Sequence, residues 1–412
     1  MTDAQRQQAS NYKIAILVVA LAFVFNFLGR GVGNTYMAFL VPLDREYEWT
    51  RTATASVYSF YMLASALAAP LVGVIFDRFG PRIVYRSGLI IMGCAYLLAS
   101  HLTELWQLYL LVGVLSGISV SALGMIPASA LIGRWYQKGT STAIGIAYAG
   151  FGAGNLLIVP FSQYMISTEG WRAGYEVLGA ILLICVPFTF LLPWNRIKAG
   201  SPDYQPVKAE SDQSQKRTAL LKSAMKTPDF WSLVVVVFFA SFAVFVVMVQ
   251  AIIFLVDHGF SATHAAAAFG ITGMLSVFGM VSIGWLLHHF GNRNVVTFSF
   301  LLTFIGTVFI YILSYKHSPI ILWLYVLTFG LSQGVRGPIV SVICTRLYAG
   351  SAHATIYGTI SALGTLGSAT GAWASGFLYD YSGEYRLGFM AGMVSVFLGA
   401  IPFLVNKKIA NA

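Results

Sequence analysis

Apolar residues run in blocks of about twenty along most of this chain, and short polar stretches separate them. The blocks fall near residues 14–40, 54–76, 83–100, 105–133, 142–166, 173–193, 229–256, 265–288, 295–315, 319–347, 355–378 and 387–406. About 20 apolar residues in a helix cross the hydrocarbon core of a bilayer. The blocks lack the period-two alternation of membrane-barrel strands. The pattern predicts an all-α membrane protein with twelve transmembrane helices.

One polar stretch interrupts the rhythm, from Trp194 to Phe230. It divides the chain into an N-terminal six-helix bundle at 1–193, a cytoplasmic linker at 194–228 and a C-terminal six-helix bundle at 229–412. Within the linker, RTALLKSAMKT reads as a short amphipathic helix at the membrane surface. The halves repeat. GVIFDRFGPR after the second helix (Gly73–Arg82) matches GWLLHHFGNR after the eighth (Gly284–Arg293). Arg134-Trp135-Tyr136 ends the fourth helix as Arg346-Leu347-Tyr348 ends the tenth, and a glycine-rich helix follows each. The sixth and twelfth helices open with GWRAGY and GEYRLGF. Such an internal repeat predicts two pseudo-symmetric bundles with a binding site at their interface.

Composition agrees with this picture. The chain is 57% hydrophobic and 10% charged, against about 25% charged in soluble domains. The first apolar block outruns a signal peptide and has no small-residue cleavage site, so the first helix is expected to be retained. The net charge of +10 follows the positive-inside rule. Apart from Arg30 and Arg336, only Arg45, Arg51, Arg172, Lys316 and Arg386 fall on the outer side if the N-terminus is cytoplasmic. The expectation is a multi-pass protein of the cell (inner) membrane with both termini cytoplasmic, monomeric, and without a nucleic-acid partner. Cys94, Cys185 and Cys344 lie far apart in apolar blocks and read as small buried hydrophobes. The apolar blocks hold no nucleophile–base pair or metal-ligand cluster, so neither an enzyme nor a cofactor or metal is expected.

Arg30 and Arg336 sit deep inside apolar blocks that hold no acidic residue. A guanidinium at a helix centre costs about 2.5–3.5 kcal/mol on insertion scales. Its forked donors match a carboxylate bidentately, so the pair reads as a clamp for an anion, one arginine from each half. Gly29, Gly31 and Gly33, and Gly334 and Gly337-Pro338, are expected to weaken the two helices locally. Asn26, Arg30 and Asn34 share one helix face. Gln333 lies one turn before Arg336. Tyr148 and Asn155 on the fifth helix, Gln250 on the seventh, and Tyr357 and Ser361 on the eleventh complete the candidate cavity. Interhelical hydrogen bonds explain such polar residues equally well.

Gly73, Asp77, Arg78, Gly80 and Arg82 match the G-x-x-x-D-R-x-G-x-R loop of the major facilitator superfamily, which the chain resembles over almost its full length. The resemblance implies a cytoplasmic gate at Asp77, Arg78 and Arg82. Within the superfamily the chain looks most like the monocarboxylate transporters and the oxalate/formate antiporter group. Trp135-Tyr136-x-Lys138, the run Ala143-x-Gly145-x-Ala147-x-Ala149-Gly150-x-x-x-Gly154, and Glu48-Trp49-Thr50-Arg51, similar to G-W-S-R, carry that likeness. The chain departs from it in the eighth helix, which lacks those families' substrate-binding arginine.

These features together predict a secondary active carrier that moves a small organic anion by alternating access, with proton-coupled uptake. Arginine cannot carry the proton, and Asp257 and His258 at the outer end of the seventh helix are the candidates, with His264 nearby. The rival readings are a carrier of a neutral or aromatic compound such as a vitamin, an efflux carrier, and a receptor that binds without transporting.

Overall fold

The computed structural model describes residues 3–136, 140–202, 220–334, 340, 343–344, 347–348, 353–406 and 408–409. The described residues are helical with short connections and contain no strand. Among the described residues, ten helices are long and apolar enough to cross a membrane. The two other expected spans are the shorter apolar helix Pro319–Gln333 and the glycine- and serine-rich helix His353–Ser382.

In chain order the helices are α1 (Asp3–Asn34), α2 (Tyr36–Tyr47), α3 (Arg51–Phe79), α4 (Pro81–Ala99), α5 (Leu105–Leu108), α6 (Ser116–Leu123), α7 (Met125–Trp135), α8 (Thr140–Phe188) and α9 (Trp194–Ala199). Then follow α10 (Pro228–Met248), α11 (Ala251–Asp257), α12 (Ala262–Leu313), α13 (Pro319–Gln333), α14 (His353–Ser382) and α15 (Arg386–Val405). A π-helical segment, Tyr109–Leu115, joins α5 to α6. Within the expected amphipathic linker helix, residues 220–224 are helical.

The chain divides into two compact units. Unit 1 comprises Met1–Glu48 and Phe60–Pro206, and unit 2 comprises Trp49–Ser59 and Val207–Ala412. The change from one unit to the other after Pro206 falls inside the polar linker. The start of α3 departs from the expected partition, because Trp49–Ser59 groups with unit 2.

The repeat is visible in the backbone. Gly80 and Gly291 occupy matching places in the two repeated turns, and both have positive φ, +86° and +74°. Gly170 and Gly383, which open GWRAGY and GEYRLGF, also match, with φ of +89° and +72°. At Gly80, Gly170 and Gly291 ψ lies near 160–175°, a region that only glycine enters freely. Gly170 and Gly291 therefore turn the chain sharply inside α8 and α12, each of which holds two expected spans.

Glycines also set the closest helix contacts. In unit 1, α8 lies against α1. A Cβ at Gly154 would lie 2.5 Å from the Phe27 carbonyl oxygen, and one at Gly150 would collide with that of Phe23. In unit 2, α14 meets α10 in the same way. A Cβ at Gly371 would lie 2.6 Å from the Phe242 oxygen, and one at Gly367 would collide with that of Phe238. Each seam is a small-x-x-x-small pair, which lets two backbones approach where apolar side chains gain nothing over lipid.

The glycines around Arg30 do not break their helix. α1 runs unbroken to Asn34, and the interruption comes one residue later, at Thr35. Gly31 is needed for space, since its Cβ would lie 2.8 Å from the Gly154 Cα. The matching glycines beside Arg336 include Gly334, where a Cβ would collide with the Ser276 oxygen; Gly337 and Pro338 lie outside the described residues.

Gly145, on α8 like Gly154, has open space around it. Gly154→Leu should therefore destabilise the purified protein by about 1–3 kcal/mol through overpacking, while Gly145→Leu does not. Thermal unfolding in detergent compares the two on one helix, so helix propensity cancels.

Candidate functional site

The α1–α8 seam brings the unit 1 candidates together. On α8, Tyr148, Phe151 and Asn155 follow helical spacing along one face. Asn34 and Asn155 are both buried, and the Asn34 Nδ2 donates to Asn155 Oδ1 at 2.9 Å. The Asn155 Nδ2 has no hydrogen-bond partner. Arg30, half-buried, lies one turn from Asn34, with its guanidinium carbon 6.0 Å from the Phe151 ring centre. The Tyr61 hydroxyl on α3 lies near enough to Arg30 to feel its charge. That hydroxyl occupies the space a Cβ on Gly33 would fill. Among the described residues no carboxylate forms an ion pair with Arg30.

Asn26 is committed elsewhere. Its Nδ2 donates to the Ala22 carbonyl at 2.9 Å and approaches the Met125 sulfur at 3.3 Å. It is a buried residue satisfied by its own helix, as interhelical packing alone would require.

In unit 2, Gln250 stands where the seventh span breaks, between α10 and α11. It is buried, and neither its Oε1 nor its Nε2 has a partner. A buried, unsatisfied amide costs about 1–3 kcal/mol. Tyr357 and Ser361 line a cavity of about 140 Å³ with Ser241, Thr365 and Ser368. Gln333, half-buried at the end of α13, has an unpartnered Nε2. Arg336 lies outside the described residues.

The expected gate has a different cation from the one its motif suggests. Asp77, largely exposed, meets Arg134 at 3.7 Å. Arg134 also donates to the Lys198 carbonyl at 3.2 Å and lies 4.9 Å from the Phe76 ring centre. Arg78 instead covers Phe79, while Arg82 and Arg86 flank Phe190. An exposed pair of this kind contributes little stability in one state, which suits a contact that forms and breaks.

Asp257, a candidate for proton coupling, is engaged. It accepts from Arg51 at 3.2 Å and from the Tyr385 hydroxyl at 2.5 Å. The His258 Nδ1 lies 2.8 Å from the Phe254 carbonyl, and His264 pairs with Ser261 at the start of α12. Sequence reasoning missed Tyr61, Phe151 and Arg134 and left Arg51 among the outer-loop charges. A phenol in mid-span was the available signal for Tyr61.

Among the described residues no group of His, Cys, Asp and Glu could hold a metal. Membrane-crossing helices with buried polar side chains and glycine seams place the chain in the class of multi-pass helical membrane proteins. The sequence pattern of the Major Facilitator Superfamily matches residues 19–369, and the chain belongs to that family. It is a transporter and not an enzyme.

Its relatives include the mouse (Mus musculus) monocarboxylate transporter 12, 24% identical over 406 residues, covering 92% of this chain and 83% of that protein. Human (Homo sapiens) monocarboxylate transporter 2 is also 24% identical, over 413 residues, covering 95% and 85%. Among solved structures the fold is similar to the nucleoside transporter NupG, with a TM-score of 0.75 at 14% identity over 94% of this chain and 99% of that one. It is also similar to a bacterial homolog of the human lysosomal transporter Spinster, with a TM-score of 0.70 at 15% identity, covering 97% and 98%.

Replacing Asn34 by Leu leaves the buried Asn155 amide wholly unpaired and should cost about 1–3 kcal/mol of stability. Asn34→Leu/Asn155→Leu should recover most of that loss, because both polar groups are gone. A double-mutant cycle by thermal unfolding measures the coupling.

Proposed function

We propose that this protein is a secondary active transporter of a small organic anion, a carboxylate, working by alternating access. The observation that carries the reading is Arg30, a guanidinium within a membrane span that has a phenol and an aromatic ring beside it and no paired carboxylate among the described residues. A cation within a membrane span and left without a counter-ion is unfavourable, and a carboxylate substrate supplies the missing charge through two parallel hydrogen bonds. The monocarboxylate transporters among its relatives support the same substrate class. In this reading Asn34, Tyr148, Asn155, Gln250, Gln333, Tyr357 and Ser361 supply polar contacts, and Arg336 is the second cationic clamp.

Asp77, Arg78 and Arg82 form the cytoplasmic gate, to which Arg134 belongs as the partner of Asp77. Both termini face the cytoplasm, the protein sits in the cell membrane, and it works as a monomer. Uptake is coupled to protons. The proton travels through the Asp257 and His258 region or enters with the anion itself.

Replacing either arginine by lysine removes the fork. Arg30→Lys and Arg336→Lys should each weaken carboxylate binding by about 10–100-fold, as expected for the loss of charge-assisted hydrogen bonds of about 1.5–3 kcal/mol, while leaving membrane insertion intact. Thermal-shift titration with a panel of monocarboxylates, aromatic acids, vitamins and nucleosides reads the affinity. Unchanged carboxylate binding in both variants would remove the clamp.

A neutral polar substrate is the second reading. It is favoured by the uncharged groups in unit 2, the Gln250 amide and the hydroxyls around Tyr357 and Ser361. Stabilisation by nucleosides or vitamins, with no competition from simple carboxylates, would select it.

Proton coupling is tested separately. Internal acidification of proteoliposomes should accompany substrate entry, and collapsing the proton gradient should abolish accumulation. Uptake that persists without the gradient would exclude symport.

A further inference from the structure

The start of α3 is held more firmly than its place beside a loop requires. Trp49–Ser59 belongs to unit 2, while from Phe60 onward α3 belongs to unit 1. Asp380, near the end of α14, accepts from the backbone N–H groups of Arg51 and Thr52 at 3.0 and 2.7 Å, and from the Thr52 hydroxyl at 2.5 Å. The first N–H groups of a helix have no partner within it and carry partial positive charge, so a carboxylate suits them. Here the carboxylate comes from a residue more than three hundred positions away in the chain.

The Arg51 side chain is gripped independently. It is 9% exposed, and its guanidinium donates to Asp257, which also accepts from the Tyr385 hydroxyl. The rings of Tyr379 and Tyr385 lie 5.0 and 5.9 Å from the guanidinium carbon. Burial holds the Tyr385 phenol above its ordinary pKa, so it stays a donor to Asp257 at physiological pH. One turn further on, Ala55 lies close to Gly376 on α14. Gly376 there leaves room for the Arg51 carbonyl, and Ser59 donates to the Ala369 carbonyl at 2.7 Å.

Three features mark this as a contact that can open. It faces a recess of about 630 Å³ lined by Asp257, Glu384, Tyr385 and Arg386, among others, so both ions have water to enter on separation. The Asp257 side chain is already 35% exposed. Thr50 accepts from the Ala53 N–H at 3.2 Å through its own hydroxyl, so α3 keeps an N-cap of its own when Asp380 withdraws.

We propose that Arg51, Asp257 and Asp380 form a releasable clasp on the start of α3, closed in this conformation and opened once in each transport cycle. The opening step rests on the alternating-access reading above; the clasp itself rests on the geometry. Removing one ion of the closed clasp leaves its partner withdrawn from water and unpaired, which favours the open form.

Amide hydrogen exchange on the purified full chain tests the clasp without any substrate. Arg51→Ala should speed exchange at residues 51–59 at least tenfold. The charge exchange Arg51→Asp/Asp257→Arg should restore most of the protection. Joining Thr52→Cys to Asp380→Cys by oxidation should slow exchange there at least tenfold below wild type, because wild type opens. Unchanged exchange in Arg51→Ala would sink the clasp, and unchanged exchange in the cross-linked protein would show that it does not open. In proteoliposomes, counterflow of labelled pyruvate should stop on oxidation of the double-cysteine protein and return on reduction, with oxidised wild type as the control for its native cysteines. Full counterflow by the cross-linked protein overturns the cycle role. If wild type moves no pyruvate or other monocarboxylate, the substrate reading fails, and the exchange arms still decide the clasp.

Discussion

Close approach of backbones is the constraint on which the rest of this structure depends. In a bilayer, an apolar side chain gains nothing by leaving lipid for another helix, so helices hold together through contact distance and polar bonds. The two glycine seams provide that distance. Gly150 and Gly154 bring α8 onto α1, and Gly367 and Gly371 bring α14 onto α10. Asn34 reaches Asn155, and Arg30 reaches Phe151, because Gly31 and Gly154 allow the two main chains to touch. The polar site in unit 1 is therefore a product of the seam, and a bulkier residue there would disturb both.

Much of this architecture was legible in the sequence. Long apolar blocks specify membrane helices strongly, because a helix satisfies its own backbone groups in lipid. The repeated turns proved more informative than their side chains. GVIFDRFGPR and GWLLHHFGNR share few residues, yet Gly80 and Gly291 hold the same left-sided backbone conformation. What the sequence did not carry was the purpose of the glycines near Arg30. Glycine serves both to loosen a helix and to admit a neighbour, and the choice depends on what lies across from it. Here Gly29 faces Leu123, Gly31 faces Gly154 and Gly33 faces Tyr61, none of them close in sequence.

The candidate site was legible in part for a similar reason. A cation in an apolar block announces itself by its cost, and so Arg30 stood out. The partners of a polar group do not, since helix periodicity identifies a face and not the residue opposite. Asn26 shares the face of Arg30 but bonds back to Ala22, whereas Asn34 bonds across to Asn155. Asp77 carries the motif's arginines beside it in sequence, yet the arginine it meets is Arg134 from another helix. Arg51 sits at a block's edge, where the positive-inside count treats it as one loop charge among several.

Arg30 and Arg51 show how the same side chain takes two roles according to what surrounds it. Arg51 has an acid in Asp257, a second donor to that acid in Tyr385, and two rings around its guanidinium. Such an arginine has its counter-ion within the protein, and that pairing can change only if the protein moves. Arg30 has a phenol and one ring beside it but no acid among the described residues. In the reading proposed above, a substrate carboxylate balances its charge. Desolvation makes both guanidiniums costly when unpaired. Under the two proposals above, that cost resists a conformational step in one case and favours an anion in the other. A transporter needs both effects, because binding energy is useful to it only when it can be exchanged for motion.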